Sequence, residues 1–193
     1  MGKMKIMENL NNFAVFILSH GRPDRIKTLD TLKKGNYTGK WYIVIDNEDK
    51  TADEYYKRYG DKVIMFDKLA VSKTFDTADT FKDRRTIVYA RNACFDIAEK
   101  LGLDYFLQLD DDYDNISYRK EIDGLLTQRV KVRQLDKMFS LMIDFLETTK
   151  SKTVAFAQGG DFVGGIGSRC WQEQLSRKAM NSFFAKQKID LIL

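Results

Sequence analysis

Short runs of hydrophobic residues alternate with amphipathic segments along the first half of the chain. The first run, Phe13–Leu18, is unbroken, as expected for a strand that is buried on both faces of a sheet. Residues 41–45, Val63–Phe66 and 105–109 are predicted to form three further short strands. Apolar residues recur at helical spacing between these runs, most clearly over residues 87–101. A strand that alternates with a helix in this way predicts an α/β domain with a largely parallel sheet.

Local signals predict where individual helices begin and end. Pro23 is expected in the first turn of the helix after the first strand, where its missing N–H costs nothing. Thr51 and Glu54 have the spacing of a capping box, which predicts that Thr51 caps the next helix, and Gly60 is expected to end it. Residues 67–85 are polar and are expected to be irregular.

The pattern changes after the fourth predicted strand. Asp123 and Gly124 lie between two strand-like segments and predict a β-hairpin. Residues 171–193 are expected to begin as a helix and then to lose regular structure. The other elements predicted here are the hairpin strands at 116–122 and 125–132, a helix at 135–146 and a strand at 153–157.

Composition restricts the class of protein. A chain of 193 residues that is 44% hydrophobic fits one globular domain. No apolar run reaches the ~18 residues of a membrane span, and residues 1–12 lack a secretion signal, so we expect a cytoplasmic protein with no membrane partner. Two cysteines fit a reducing compartment, and because His20 is the single histidine, any metal is expected to have oxygen ligands. The net charge of +4 permits an anionic partner.

Three consecutive aspartates follow the fourth predicted strand directly. Ligands of open α/β sheets bind outside the carboxyl ends of the strands, which is where these carboxylates lie. The period of two along an extended chain turns Asp110 and Asp112 to one side and Asp111 to the other. Two carboxylates on one side suit a hard divalent ion such as Mg²⁺ or Mn²⁺. A solvated acidic turn is the alternative interpretation.

Polar residues also follow the first two strands. Asp46 is suited to accept hydrogen bonds from a ribose or a base, and a turn or helix cap is an equally good interpretation. Ser19, His20 and Arg22 follow the first strand. His20 is a candidate ligand contact or base, although a lone histidine is more often structural.

Further candidates lie on the helix over 87–101 and in a glycine-rich stretch. Arg91 has donors that suit a diphosphate, whereas Arg84 and Arg85 are interpreted as ordinary surface arginines on their own. Asp161 lies within the glycine-rich residues 158–167 and is a candidate acid or base, although a flexible turn is the favoured interpretation there.

The predicted hairpin is rich in positive charge. Residues 119–137 hold six Lys and Arg against three acidic residues. Such a segment can contact phosphates, and a solvated face is the simpler interpretation.

Four motifs in order resemble the GT-A fold of nucleotide-sugar glycosyltransferases: AVFILSHGRP, IVIDNED, YARNA and LQLDDD. Within that class, roughly residues 13–184 resemble the TET/JBP-associated glycosyltransferases of bacteriophages. The resemblance implies a Rossmann-like mixed sheet, mostly parallel, with helices on both faces. It implies transfer of a sugar from a nucleoside-diphosphate sugar, with a UDP-sugar favoured, to a hydroxymethylated pyrimidine in phage DNA, with Mn²⁺ or Mg²⁺ as cofactor.

The resemblance also assigns residues. Asp46 would contact the nucleoside, Arg91 with Arg85 the diphosphate, and Asp161 the sugar or the acceptor. The implied nucleotide-sugar site comprises Ser19, His20, Arg22, Asp46, Arg85, Arg91, Asp110 and Asp111, and the implied metal ligands are Asp112 and Asp110.

The last residues depart from the family pattern. The family continues with an acidic region that should hold the acceptor-side base, whereas residues 185–193 look unlike it. We expect an extension at 1–12, a C-terminally shortened domain at 13–184 and an atypical tail at 185–193. Two alternatives to an active transferase stay open. One is a nucleotidyltransferase, and the other is a non-catalytic remnant that binds nucleotide or DNA.

Overall fold

A computed structural model describes residues 8–76, 84, 86–122, 125–157 and 183–186. A helical segment at 8–11 precedes the first strand. The strands are β1 Phe13–Leu18, β2 Lys40–Asp46, β3 Val63–Phe66, β4 Tyr105–Asp110, β5 Ser117–Ile122, β6 Leu125–Lys131, β7 Thr153–Ala155 and β8 Phe183–Lys186. The helices are α1 Lys27–Lys34, α2 Ala52–Tyr59, α3 Lys68–Val71, α4 Val88–Lys100 and α5 Leu135–Thr148.

Six of the described strands form one mixed sheet in the order β3-β2-β1-β4-β8-β7. The first four are parallel to one another, and β8 runs antiparallel to both β4 and β7. The chain moves outward from β1 to β3 and then returns to the other side of β1 as β4. Such a reversal opens a crevice at the carboxyl ends of the central strands, where ligands bind in open α/β sheets. The predicted α/β class and mostly parallel sheet are confirmed.

Both faces of the sheet are covered by helices, as predicted. Successive side chains of β1 alternate between two cores. Phe13, Val15 and Ile17 pack with α1, α2 and α5 on one face. Phe16 and Leu18 pack on the other face with α3 and α4. The strand is fully enclosed, which fixes the position of the polar residues that follow it.

The first two helix starts differ from the sequence prediction. Helix α1 begins at Lys27, and Pro23 lies in a turn before it. The intervening chain is held elsewhere, because the carbonyl of Pro23 accepts a hydrogen bond from Tyr59 at 2.8 Å. Thr51 does precede α2, but its hydroxyl donates to Asp49 Oδ1 at 2.7 Å instead of capping the helix. The capping box predicted at this position is therefore wrong.

Two segments expected to be irregular contain regular structure. Within residues 67–85, helix α3 begins after Asp67, whose carboxylate accepts the N–H of Ala70 at 2.9 Å. Within residues 171–193, β8 pairs with β4 and β7 and so joins two strand edges that would otherwise be open. This strand runs through residue 184, where the sequence analysis ends the domain.

The hairpin is confirmed as an antiparallel pair of β5 and β6, with its predicted turn outside the described residues. No helix in the described part of the chain is long and apolar enough to cross a bilayer.

Candidate functional site

A cavity of about 550 Å³ opens at the carboxyl ends of β1, β2 and β4. This volume lies within the range of small-molecule sites, ~300–1,000 Å³. Apolar side chains of β1, β2, β3 and the start of α4 form part of its wall, and polar and charged side chains form the rest. The lining residues are Leu18, Ser19, His20, Arg22, Val44, Asp46, Phe66, Lys68, Thr86, Ile87, Ala90, Arg91, Asp110 and Asp112.

A buried ion pair closes the β2 end of the cavity. Asp46 is the last residue of β2, and its Oδ2 lies 3.2 Å from Nζ of Lys68 at the start of α3. The two side chains are only 8% and 9% exposed, so each depends on the other for charge compensation. Asp46 also contacts His20 Nδ1 at 2.9 Å and accepts the N–H of Glu48 at 3.0 Å. Beside this pair, Val44 and Phe66 give the cavity an apolar surface.

A chain of hydrogen bonds fixes the loop after β1. Ser19 Oγ donates to Asp111 Oδ2 and lies 2.6 Å from the hydroxyl of Tyr55. The hydroxyl of Tyr55 also accepts the N–H of Arg22 at 3.0 Å. Because the one hydroxyl proton of Ser19 is directed at a carboxylate, the proton of Tyr55 must point to Ser19. Burial raises the pKa of Tyr55 and keeps that proton in place.

Asp111 lies beneath this loop and does not face the cavity. It is 1% exposed. Its Oδ1 accepts no hydrogen bond from the described residues, and its charge is balanced by Arg22 Nη2 at 2.7 Å. The carboxylate therefore ties the loop after β1 to the end of β4.

Asp49 holds the same loop from the other side. Its Oδ2 accepts the N–H of Gly21 at 2.8 Å, and its Oδ1 accepts the N–H and hydroxyl of Thr51. Burial alone would raise the pKa of Asp49, but these hydrogen bonds outweigh it and lower the pKa. Gly21 has φ +70°, a backbone conformation that favours glycine.

Arg91 and Asp110 form the β4 end of the cavity. Arg91 Nη2 donates to Asp110 Oδ1 at 3.0 Å, and the carbonyl of Arg91 accepts a hydrogen bond from the fully buried Gln108 at 2.8 Å. Burial raises the pKa of Asp110, Arg91 opposes that rise, and the neighbouring Asp112 and Asp111 add to it. The cavity thus carries a partly desolvated carboxylate beside a positioned arginine.

Comparison with known families decides the class of this protein. The family model described as TET-Associated Glycosyltransferase matches residues 13–191. The chain belongs to this family. The match confirms the resemblance found in the sequence, and it extends beyond residue 184. A search of curated proteins found no match.

Two carboxylates at the β4 end of the cavity in this TET-associated glycosyltransferase suit a hard divalent ion that also binds a ligand. Asp110 and Asp112 both line the cavity. Arg91 engages Oδ1 of Asp110, which leaves Oδ2 without a partner among the described residues. No group of three Asp, Glu, His or Cys residues in the described ranges is arranged to hold a metal. One or two carboxylates together with ligand phosphates and water are typical of Mg²⁺ sites, so the residues fit such an ion.

Most of the residues that the sequence singled out in this transferase come together in one cavity. The exception among the described residues is Asp111, which supports the loop from below. Arg85 and Asp161 lie outside the described residues. Arg84 pairs with Glu48 at 2.6 Å, as expected of a surface arginine. The predicted residues that line the cavity are Ser19, His20, Arg22, Asp46, Arg91, Asp110 and Asp112.

Sequence reasoning missed three residues that build the site. Lys68 lies in a polar stretch that reads as a loop, and its partner Asp46 is 22 positions away. The sequence pattern places Tyr55 at an ordinary apolar position of a predicted helix, and it indicates a turn at Asp49. A lysine two residues after an apolar strand in an α/β chain is the one available signal for Lys68, because that position lies at the ligand-binding edge.

Proposed function

We propose that this protein binds a nucleoside-diphosphate sugar in the cavity over β1, β2 and β4 together with Mn²⁺ or Mg²⁺. The sugar is then transferred to a hydroxymethylated pyrimidine of phage DNA. The observation that carries the proposal is the arrangement of charge within a single cavity. The buried pair of Asp46 and Lys68 lies at one end, and Arg91 with Asp110 and Asp112 lies at the other.

The β2 end suits the nucleoside. Val44 and Phe66 offer apolar contact to a base, while Asp46 accepts and Lys68 donates hydrogen bonds. A UDP-sugar is the favoured donor. In this arrangement His20 contacts Asp46 and holds the loop after β1 against the nucleoside site.

The β4 end suits the diphosphate. Arg91 offers planar donors, and Arg22 lines the same cavity while it is held by Asp111. Asp112 and Asp110 would hold the metal. A bound Mg²⁺ or Mn²⁺ supplies positive charge against the leaving diphosphate.

Transfer breaks the bond between the anomeric carbon and the diphosphate oxygen, and the diphosphate leaves with the electron pair. Arg91 stabilises the charge that develops there. In a transfer that inverts the anomeric centre, the acceptor hydroxyl forms the new bond to the anomeric carbon and gives its proton to a carboxylate base, for which Asp161 is the candidate. A base within a duplex cannot reach the cavity, so the acceptor nucleotide is single-stranded or flipped out.

A transfer assay tests this proposal. The protein is incubated with Mn²⁺, a panel of nucleotide sugars and an oligonucleotide that contains hydroxymethylcytosine, and the products are weighed by mass spectrometry. We expect the oligonucleotide to gain the mass of one sugar residue. Donor binding without any transfer would support the alternative of a non-catalytic remnant. Release of pyrophosphate from a nucleoside triphosphate would support the alternative of a nucleotidyltransferase.

A matched pair of variants tests the metal assignment. Asp112→Asn should abolish the tightening of donor binding by Mn²⁺, measured by calorimetry with and without the ion. Asp114→Asn changes the charge equally, two residues away and outside this cavity, and should retain the metal effect. Equal metal dependence in both variants would refute the role given to Asp112.

A further inference from the structure

We call the cavity over β1, β2 and β4 the donor cavity. The β5–β6 hairpin and the chain beside it carry a row of cations that do not line this cavity. We propose that this row binds the sugar-phosphate backbone of the acceptor DNA. We call it the basic strip. This inference rests on the proposed function, in which the acceptor is a polynucleotide. The strip consists of Lys34, Arg119, Arg129, Lys131 and Arg133.

The strand register places like charges directly opposite each other. Arg119 of β5 pairs with Arg129 of β6, and Ser117 pairs with Lys131. Side chains at opposed positions of an antiparallel pair share one face, so three cations lie together there. This register concentrates positive charge on one face of the hairpin.

The base of the hairpin packs against the protein core. Ile116 is buried, and Val132 packs against the core shared with α1 and α5. The N–H of Val132 donates to the carbonyl of Ile116 at 2.9 Å, which continues the register. Beyond this base, Arg129 and Lys131 are both exposed to solvent.

A second cavity continues the strip toward α1. It has a volume of about 330 Å³, and its lining includes Lys34, Lys131 and Arg133 against the single acidic residue Asp114. None of these three cations is in an ion pair with another residue of the described ranges. The cavity is therefore a concave site with excess positive charge that suits a phosphate group.

The strip begins beside the donor cavity. Asp112 lines the donor cavity and Asp114 lines the second one, and the Cα atoms of these two residues are at most ~7 Å apart. Thr31 Oγ1 donates to the carbonyl of Tyr113 at 2.8 Å and anchors the connection to α1. A strand of nucleic acid that lies on the strip can thus present one nucleotide at the opening of the donor cavity.

The repeating arrangement favours nucleic acid over other anions. Alternate residues on one face of a strand are ~7 Å apart, so Arg129 and Lys131 place two positive charges at that spacing, and Arg133 follows them in the chain. A polynucleotide carries one phosphate per nucleotide and meets such a line at several points. A free phosphate or a diphosphate would occupy the second cavity alone.

Binding of a fluorescent single-stranded oligonucleotide, without donor or metal, tests the strip. The variant Arg129→Gln/Lys131→Gln/Arg133→Gln removes three cations. Each lost phosphate contact lowers the slope of log affinity against log salt by ~0.7 for single strands, so the slope should fall by about 2. At 0.15 M salt the same slope corresponds to a loss of roughly 50-fold in affinity.

The control variant Lys57→Gln/Lys73→Gln/Lys100→Gln has the same net charge but changes exposed lysines elsewhere. We expect it to bind the oligonucleotide within about threefold of the wild type. Circular dichroism and donor affinity should be unchanged in both triple variants. If the triple variant of the strip folds poorly, the single variant Lys131→Gln replaces it, and we expect a smaller loss of oligonucleotide affinity for that variant.

Several outcomes would overturn the strip. Equal oligonucleotide binding by the strip variant and the control variant would contradict the proposal. It would also be contradicted if the wild-type protein bound polyglutamate of matched charge as tightly as it binds the oligonucleotide. The transferase proposal fails separately. Strip-dependent DNA binding without any sugar transfer contradicts that proposal alone, whereas transfer to DNA that is insensitive to the strip variant contradicts the strip alone.

Discussion

Replacing Tyr55 by Phe tests whether the loop after β1 is held by its hydrogen-bond chain. Tyr55 is fully buried, and its hydroxyl accepts the N–H of Arg22 and donates to Ser19 Oγ. The substitution keeps the ring and removes both bonds. Ser19 retains its bond to Asp111 and Gly21 its bond to Asp49, so the loop loses one of several anchors.

The expected cost follows from the two lost bonds. Each contributes ~0.5–1.5 kcal/mol net, so the free energy of unfolding should fall by about 2 kcal/mol. For a domain of this size each kcal/mol lowers the melting temperature by ~2–4 °C, so we expect a fall of about 4–8 °C. Because Ser19, His20 and Arg22 line the donor cavity, donor affinity should fall about tenfold, equivalent to about 1.4 kcal/mol of lost loop order.

Thermal unfolding and calorimetric titration with a nucleotide donor measure these effects. The neighbouring Tyr56 is 41% exposed, so Tyr56→Phe is a matched control that should change neither quantity. Ser19→Ala combined with Tyr55→Phe should cost less than the sum of the two single changes, since both break one chain. The reasoning is refuted if Tyr55→Phe and Tyr56→Phe have the same stability and donor affinity.

Three further predictions concern stability and reactivity. The raised pKa of Asp110 means that the folded wild type loses stability as pH rises from the usual carboxyl range through that pKa. Asp110→Asn should lack this loss in melting curves from acid to neutral pH, and parallel curves would contradict the prediction. Gly35→Ala would place a Cβ against Cγ and Cδ1 of the buried Leu135, and denaturant titration should show a loss of ~1–3 kcal/mol, whereas an unchanged midpoint would argue against the contact. Burial raises the pKa of the Cys94 thiol far above its usual range, so peptide mapping should find it alkylated by iodoacetamide only after denaturation, and labelling in the native state would show an exposed thiol.

The first four strands of the sheet were predictable because they are mostly apolar. Phe13–Leu18 is enclosed on both faces, and that environment leaves a direct pattern in the sequence. The carboxyl ends of these strands then predict which polar residues meet, and Asp46, Arg91 and Asp110 do line one cavity.

The errors arise where a competing partner overrides the expected one. Thr51 has the spacing of a capping residue, but Asp49, two positions earlier, takes its hydroxyl. Asp111 alternates away from Asp110 as predicted, yet its partners Ser19 and Arg22 come from another strand end and make it a support. No local pattern encodes the pairings of Asp111, since they join separate segments of the chain.

The strand β8 has a consequence for the order of assembly during synthesis. Strands β1 to β4 and the donor cavity derive from residues up to 112, whereas β8 enters the sheet only with residues 183–186. Until then, β4 and β7 both lack the strand that joins them. At ~5–20 residues per second, the nascent chain exposes the edge of β4 for seconds on the ribosome. Such an edge is a template for pairing with other chains, so the rate at which β8 docks governs how much of the newly made protein escapes aggregation.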